Sequence, residues 1–288
     1  MFAPAEYQLV DFGRGRKLER FGPYLTDRPS PAAEGIAPAE SEPWLRAMAR
    51  FERTGADRGI WHWRDDQAPV TANPWTIRHG SVVLDLKTTP VGHLGVFPEQ
   101  ASNWDWLAEQ IAIAGGRPKL LNLFAYTGAA TLAAAAAGAE VVHVDAARNT
   151  VAWARRNAEL SALADAPIRW IVDDAATFVR RELKRGNRYD AVVLDPPSFG
   201  HGAGKKLWKL ADDLTGLVTD CARLLHADRQ LLLLTCHTPG FGPRELQELL
   251  IRATGRNDVE CGPLQLITPA GRALESGTMG RLSTFGRL

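Results

Sequence analysis

The rhythm of hydrophobic and polar positions changes near residue 100. Beyond Ala101, short and nearly continuous apolar runs alternate with longer stretches of helical period, the pattern of strands buried on both faces and helices buried on one. Lys119 to Phe124, Glu140 to Asp145, Ile168 to Val172, Tyr189 to Leu194 and Gln230 to Thr235 are the expected strands. The expected helices are Ser102 to Ala114, with Ser102 as N-cap, then Ala129 to Ala137, Arg148 to Leu160, Ala175 to Arg185, Leu207 to Leu225 and Pro243 to Thr254. Gly138 can cap the alanine-rich helix, and Pro243 suits a first helical turn. The tail, Val259 to Ile267 and Gly280 to Phe285, adds one or two strands, antiparallel at the sheet edge. Strands alternating with helices predict an α/β fold, a doubly wound, Rossmann-like, mostly parallel seven-stranded sheet.

Up to about residue 98 the chain is irregular, and a small N-terminal β-rich domain is expected there, with the catalytic domain over 99–288. Pro29, Pro31, Pro38 and Pro43 make Arg28 to Pro43 read as an extended linker. Ser81 to Lys87 and Leu94 to Phe97 look like short strands joined by a turn. Trp44, Trp61, Trp63, Trp75, Trp104 and Trp106 all precede residue 107. Two readings stand: large aromatics building a core from few residues, or stacking surfaces on an RNA-binding appendage.

Composition narrows the classes. With 288 residues and 45% hydrophobic positions the chain can bury a sizeable core. A formal charge of +1 announces no nucleic acid, so an RNA role has to rest on local patches. Arg14, Arg16, Lys17 and Arg20 form one such cluster, and Lys205, Lys206 and Lys209 another. Cys221, Cys236 and Cys261 show neither a disulfide framework nor metal-ligand spacing. The apolar stretch from Gly128 to Val144 is broken by Thr131, Gly138, Glu140 and His143 and falls short of a membrane span. A soluble, cytoplasmic protein without a metal is the expectation.

In a parallel sheet, ligands sit where strands end. The first strand runs into Ala125-Tyr126-Thr127-Gly128, with one glycine where a pyrophosphate needs several. Such a turn suits an adenosine ligand without phosphate. Asp145 ends the second strand, where a carboxylate can accept both hydroxyls of a ribose or cap the next helix. Asp173 and Asp174 close the third, within reach of an adenine edge, although Asp is also common at helix starts. The fourth ends in Asp195-Pro196-Pro197-Ser198-Phe199. Prolines there withhold donors and leave carbonyls to accept from a substrate amino group, Asp195 can hold or share a proton, and Phe199 can stack on a planar ring. Cys236 closes the fifth strand beside His237; it reads either as a nucleophile of lowered pKa or as a core residue.

These residues resemble class I S-adenosylmethionine-dependent methyltransferases, and more closely the bacterial family of the 23S ribosomal RNA cytosine-C5 methyltransferase and its guanine-N7 relatives. Asn122 to Gly128 is similar to that family's cofactor loop; Ala154 to Leu160 and Gly95 to Gln100 match further stretches. The resemblance implies S-adenosyl-L-methionine held by Phe124, Ala125, Tyr126, Thr127 and Gly128, by Asp145 with Ala146, by Asp174 with Ala175, and by Asp195. It implies Asp195, Pro196, Pro197 and Cys236 as catalytic, with Ser198, Phe199, Lys205 and Lys206 meeting an RNA substrate, which the family suggests is ribosomal RNA. Two departures stand out. The first 75 residues differ from the family's RNA-binding domain, and Thr235-Cys236-His237 replaces its Ser-Cys-Ser-like sequence. Cytosine C5, through a Cys236 thiolate, and a guanine or adenine nitrogen both remain open as the methylated atom. Other readings are a small-molecule or protein acceptor, a nucleotide-dependent oxidoreductase, or a non-catalytic RNA-binding protein.

Overall fold

A computed structural model describes residues 1–55, 58–64, 74–201 and 207–286. The chain divides into two compact units, one of Met1–Ala101 with Gln265–Ser276, the other of Ser102–Leu264 with Gly277–Leu288.

The first unit holds β1 (Tyr7–Gly13), β2 (Arg16–Phe21), β3 (Tyr24–Pro29), β4 (Ala49–Arg53) and β5 (Gly59–Trp63), hydrogen-bonded in that order. Their pairing is antiparallel except between β3 and β4. A separate hairpin joins β6 (Thr76–His79) to β7 (Val82–Asp85). Alternation places Leu9, Leu18, Phe21, Phe51 and Ile77 inside. The tryptophans split the two readings in favour of packing. Trp75 is buried and meets Tyr24 and Trp63 edge-on at 4.9 and 6.0 Å, while its indole N–H donates to the Phe21 carbonyl. Trp44 donates to Asp11, and Trp61 to the Thr89 carbonyl. Rings tied down in this way give a small unit its core.

Three expectations for this region are corrected. Arg28 to Pro43 is not a plain linker: Arg28 and Pro29 lie in β3, Arg28 is buried, and short 3-10 turns cover Pro31–Ala33 and Pro43–Arg46. Leu94 to Phe97 forms no strand; it closes a loop through hydrogen bonds from Lys87 N–H to Leu94 and from Thr89 N–H to His93. Arg16 and Lys17 point into ion pairs with Asp27 and Glu19 at 2.5 and 3.1 Å, so both are spent on internal acids.

The second unit starts with α1 (Ala101–Ala114), one residue earlier than expected. Pro98–Gln100 winds a 3-10 turn into it, so Ser102 lies inside the helix and does not cap it. Then follow β8 (Lys119–Leu123), α2 (Ala129–Ala136), β9 (Glu140–Asp145), α3 (Arg148–Leu160), β10 (Ile168–Val172), α4 (Ala175–Lys184) and β11 (Ala191–Leu194). A short hairpin, β12 (Phe199–His201) with β13 (Leu207–Lys209), precedes α5 (Leu210–Leu224), taking the first turn expected of that helix. The chain continues through β14 (Leu231–Cys236), α6 (Pro243–Thr254), β15 (Glu260–Ile267) and β16 (Ala273–Ser283).

The sheet runs β10-β9-β8-β11-β14-β16-β15. Its first five strands are parallel, and β16 is antiparallel to β14. Successive residues face opposite layers, as a doubly wound sheet requires. Leu121, Val142, Val192 and Leu232 pack with Phe178, Leu214, Val218 and Leu246 from α4, α5 and α6. Leu120, Val141, Ala191 and Leu231 pack with Leu107, Ile111 and Ala134 from α1 and α2. Strand order reverses between β8 and β11, which puts the ends of both beside the switch in topology. Among the described residues no helix is long and apolar enough to cross a membrane.

The first unit also contains a fully buried acid. Glu19 accepts from Arg28 Nε and Nη2 at 2.8 and 2.5 Å and from the Tyr7 hydroxyl at 2.9 Å. Burial pushes its carboxyl up, but the Arg28 and Lys17 cations and these hydrogen bonds outweigh it and hold the group below its ordinary value. A lowered carboxyl stabilises the fold above its unfolded pKa and loses that contribution as pH falls through the folded value. Glu19→Gln should therefore cost about 3 kcal/mol in urea unfolding at pH 7. The gap from wild type should narrow as pH falls below the ordinary carboxylate range and on through the lowered Glu19 value. Equal unfolding midpoints at pH 7 would refute it.

Candidate active site

The loop after β8 is wound against its own side chains. Phe124 and Tyr126 adopt φ of 53° and 49°, and Gly128 φ of 89°. Bulky residues rarely enter the left-handed region, and each costs about 1–3 kcal/mol, so surrounding structure must impose the shape. Asp145 supplies much of that constraint. Its Oδ2 accepts from Tyr126 N–H at 3.0 Å and its Oδ1 from Ala147 N–H at 2.9 Å, tying the loop after β8 to the loop after β9. Burial raises the Asp145 carboxyl, and the two amides pull it back in part.

Beneath this loop lies a polar layer that sequence reasoning missed. Asn122 Nδ2 donates to Thr131 Oγ1 at 2.9 Å, and Thr131 Oγ1 lies 2.9 Å from His143 Nδ1. Asn157 Nδ2 donates to the Thr127 carbonyl at 2.9 Å. Asn122, Thr131, His143 and Asn157 are all buried. Burial and then Arg155 push the His143 imidazole down to about 3, so it stays neutral. The signal was available as polar residues inside otherwise apolar strands and helices. Gly128 sits on this layer. A Cβ there would fall 3.1 Å from Ala154 Cβ, in a backbone conformation that already excludes most side chains.

At the tip of β10 the two acids divide their work. Asp174 caps α4 by accepting from Thr177 N–H at 2.8 Å, while Asp173 pairs with Arg181. Ala146 is half-buried and Ala175 buried.

The Asp195 carboxylate, about one-third exposed, stands where β11 ends. Its Oδ1 accepts from the Thr235 hydroxyl at 2.5 Å and lies 3.2 Å from His237 Nε2. Ser198 Oγ and Thr238 Oγ1 are 2.5 Å apart, so the segments after β11 and β14 are joined at two levels. Pro196 is buried and Pro197 exposed. The expectation of free carbonyls is corrected at Pro197, whose carbonyl accepts from Trp208 Nε1 at 2.7 Å. Trp208 also meets the Phe124 ring at 5.2 Å, linking the loop after β8 to the proline motif. Phe199 is 69% exposed and available for stacking. Lys205 and Lys206 lie outside the described residues.

Cys236 requires a larger correction. It is buried in the core between the sheet and its helices. Burial, and then the Asp195 carboxylate, push its thiol up to about 12. The lowered pKa expected of a nucleophile is reversed, because an apolar setting and a neighbouring anion both oppose the thiolate. Cys221, wholly buried, and Cys261 are shifted upward as well, first by burial.

The donor set at the strand ends fits an adenosine-type cofactor without phosphate. Carboxylates stand at three successive tips, and residues 125–131 carry no cation to meet a phosphate. Known proteins agree with this fit. Residues 62–260 match the family model described as S-adenosylmethionine-dependent methyltransferase. A solved S-adenosylmethionine-dependent methyltransferase from Agrobacterium tumefaciens is 36% identical, covering 97% of this chain and 90% of its own, with a TM-score of 0.88. Ribosomal RNA large subunit methyltransferase K/L of Hahella chejuensis is 38% identical over 43% of this chain, and methyltransferase I of Aeromonas salmonicida 29% over 56%. The matched stretches span 17% and 39% of those two relatives.

Gly128→Ala should weaken binding of S-adenosylhomocysteine at least about tenfold by calorimetry, through the strain an L-residue meets at this φ. Unchanged affinity would remove the loop from the cofactor site.

Proposed function

The chain belongs to the S-adenosylmethionine-dependent methyltransferase family, and from that premise we propose that it methylates a nitrogen on a base of ribosomal RNA in the cytoplasm. The observation that carries the choice of atom is the burial of Cys236 beside an anion. Attack on cytosine C6 needs a thiolate exposed to the base, and this setting withholds one. A ring nitrogen or exocyclic amine needs no covalent step. The choice of RNA as acceptor is supported by the named activities of the curated relatives.

In this reading residues 99–288 are the catalytic domain and residues 1–98 an appendage to it. Phe124 to Gly128, Asp145 with Ala146, and Asp174 with Ala175 hold the cofactor, whose sulfonium supplies an activated methyl group. Asp145 keeps the loop in shape through Tyr126 N–H, which limits how many lone pairs it can offer to a ribose. Asp195 accepts a hydrogen bond from the acceptor base, together with the Pro196 carbonyl, and orients the nucleophilic nitrogen in line with the methyl group. Phe199 stacks on a base that has been turned out of its helix, and Ser198 is held in place by Thr238. Positioning of this kind supplies most of the acceleration where the methyl donor is already activated.

Methyl transfer from labelled S-adenosylmethionine to unmodified ribosomal RNA tests the reading. Cys236→Ser should keep activity within about threefold, since no step uses the thiol, whereas Asp195→Ala should lose about 100-fold or more. Abolished transfer in Cys236→Ser, with the variant still folded and able to bind cofactor, would restore the covalent route.

A further inference from the structure

The segment after β14 holds Asp195 more firmly than a strand tip requires. An aspartate carboxyl turns easily about its last torsion, and one hydrogen bond leaves it able to swing. Here two groups two residues apart at the end of β14 reach the same oxygen, the Thr235 hydroxyl at 2.5 Å and His237 Nε2 at 3.2 Å. The imidazole lies there because β16 makes room. Gly277 has φ of 142°, and a Cβ on it would fall 2.7 Å from His237 Nδ1 and 2.8 Å from the Cys236 carbonyl oxygen. A glycine in a conformation that favours glycine, placed where any side chain would strike the ring, leaves a niche for this histidine. The side chains of His237 and Asp195 are each 31% exposed, so their contact is partly shielded from water.

We propose that His237 is a positioning residue that fixes the Asp195 carboxylate for the acceptor base. The proposal rests on the reading of Asp195 as the acid facing that base. Beside the ring stand the Asp195 carboxylate at the end of β11 and, from β16, Gly277 without a side chain. A single partly exposed contact of this kind contributes little stability, so the consequence of losing it belongs in catalysis rather than in folding.

Two measurements on the full chain decide it. In steady-state transfer from labelled S-adenosylmethionine to unmodified ribosomal RNA, His237→Leu should lower kcat about 10- to 100-fold, the cost of a loosened catalytic group. KM for S-adenosylmethionine should stay within about twofold, and His237→Gln, which keeps a donor, should recover kcat to within about threefold of wild type. Unchanged kcat in His237→Leu, or equal loss in both variants, would overturn the proposal. The second measurement needs no acceptor. The His237 imidazole, followed by NMR across pH, should titrate at lower pH in Asp195→Asn than in wild type, because a carboxylate favours the charged ring. An unmoved midpoint would overturn the pairing. If wild-type protein labels no RNA, the choice of acceptor falls with the reading of Asp195, whereas an unmoved NMR midpoint overturns the His237–Asp195 pairing itself.

Discussion

A parallel sheet covered on both faces leaves polar side chains few places to meet solvent, and the carboxyl ends of its strands are the main ones. That constraint gathers the chemistry of this chain. Strands β8, β9, β11 and β14 are almost wholly buried along their lengths, and Asp145 and Asp195 emerge only where β9 and β11 stop. The reversal of strand order between β8 and β11 then separates the helices above them and opens a crevice at that edge. Asp145 clamps a loop whose shape Phe124 and Tyr126 would not adopt unaided. In the proposed reading it also stands at the cofactor, so a loop that relaxed without the clamp would take the cofactor edge with it.

Rigid support continues below the site. Asn122, Thr131 and His143 form a buried chain of hydrogen bonds under Gly128, and Asn157 holds the Thr127 carbonyl. Buried polar networks specify one arrangement because any half-made alternative leaves unpaired groups in an apolar setting. Nearby, Trp208 engages the Pro197 carbonyl while its ring meets Phe124, so the loop after β8 and the proline motif share one side chain. The proposed methyl transfer asks for alignment more than for proton movement, and such tethers suit it.

The sheet was legible because its signals are local and repeated. The bounds expected for β9, α3, β10 and α6 agree with those observed, since short valine- and isoleucine-rich runs between helical periods and a proline at the first turn leave little choice. Placement of Asp195 and Asp145 at strand ends followed from the same pattern. Failures arose where long-range contacts decide. Arg28 looked like linker because its partner Glu19 is remote in pattern though adjacent in the sheet. The Cys236 environment depends on packing from α5 and α6, which no local motif displays. His237 and Thr238 were visible beside Cys236, but their partners Asp195 and Ser198 lie 42 and 40 residues away in the chain. Only strand order brings them together.

The central claim is that this chain places a methyl group on a nitrogen of a ribosomal RNA base. Nucleoside mass spectrometry of ribosomal RNA from cells with and without the protein tests it most directly. The account predicts that deletion removes one methylated nucleoside whose methyl is borne on nitrogen, and that Asp195→Ala does not restore it. Identical ribosomal RNA profiles, or the loss of a carbon-methylated pyrimidine, would contradict it.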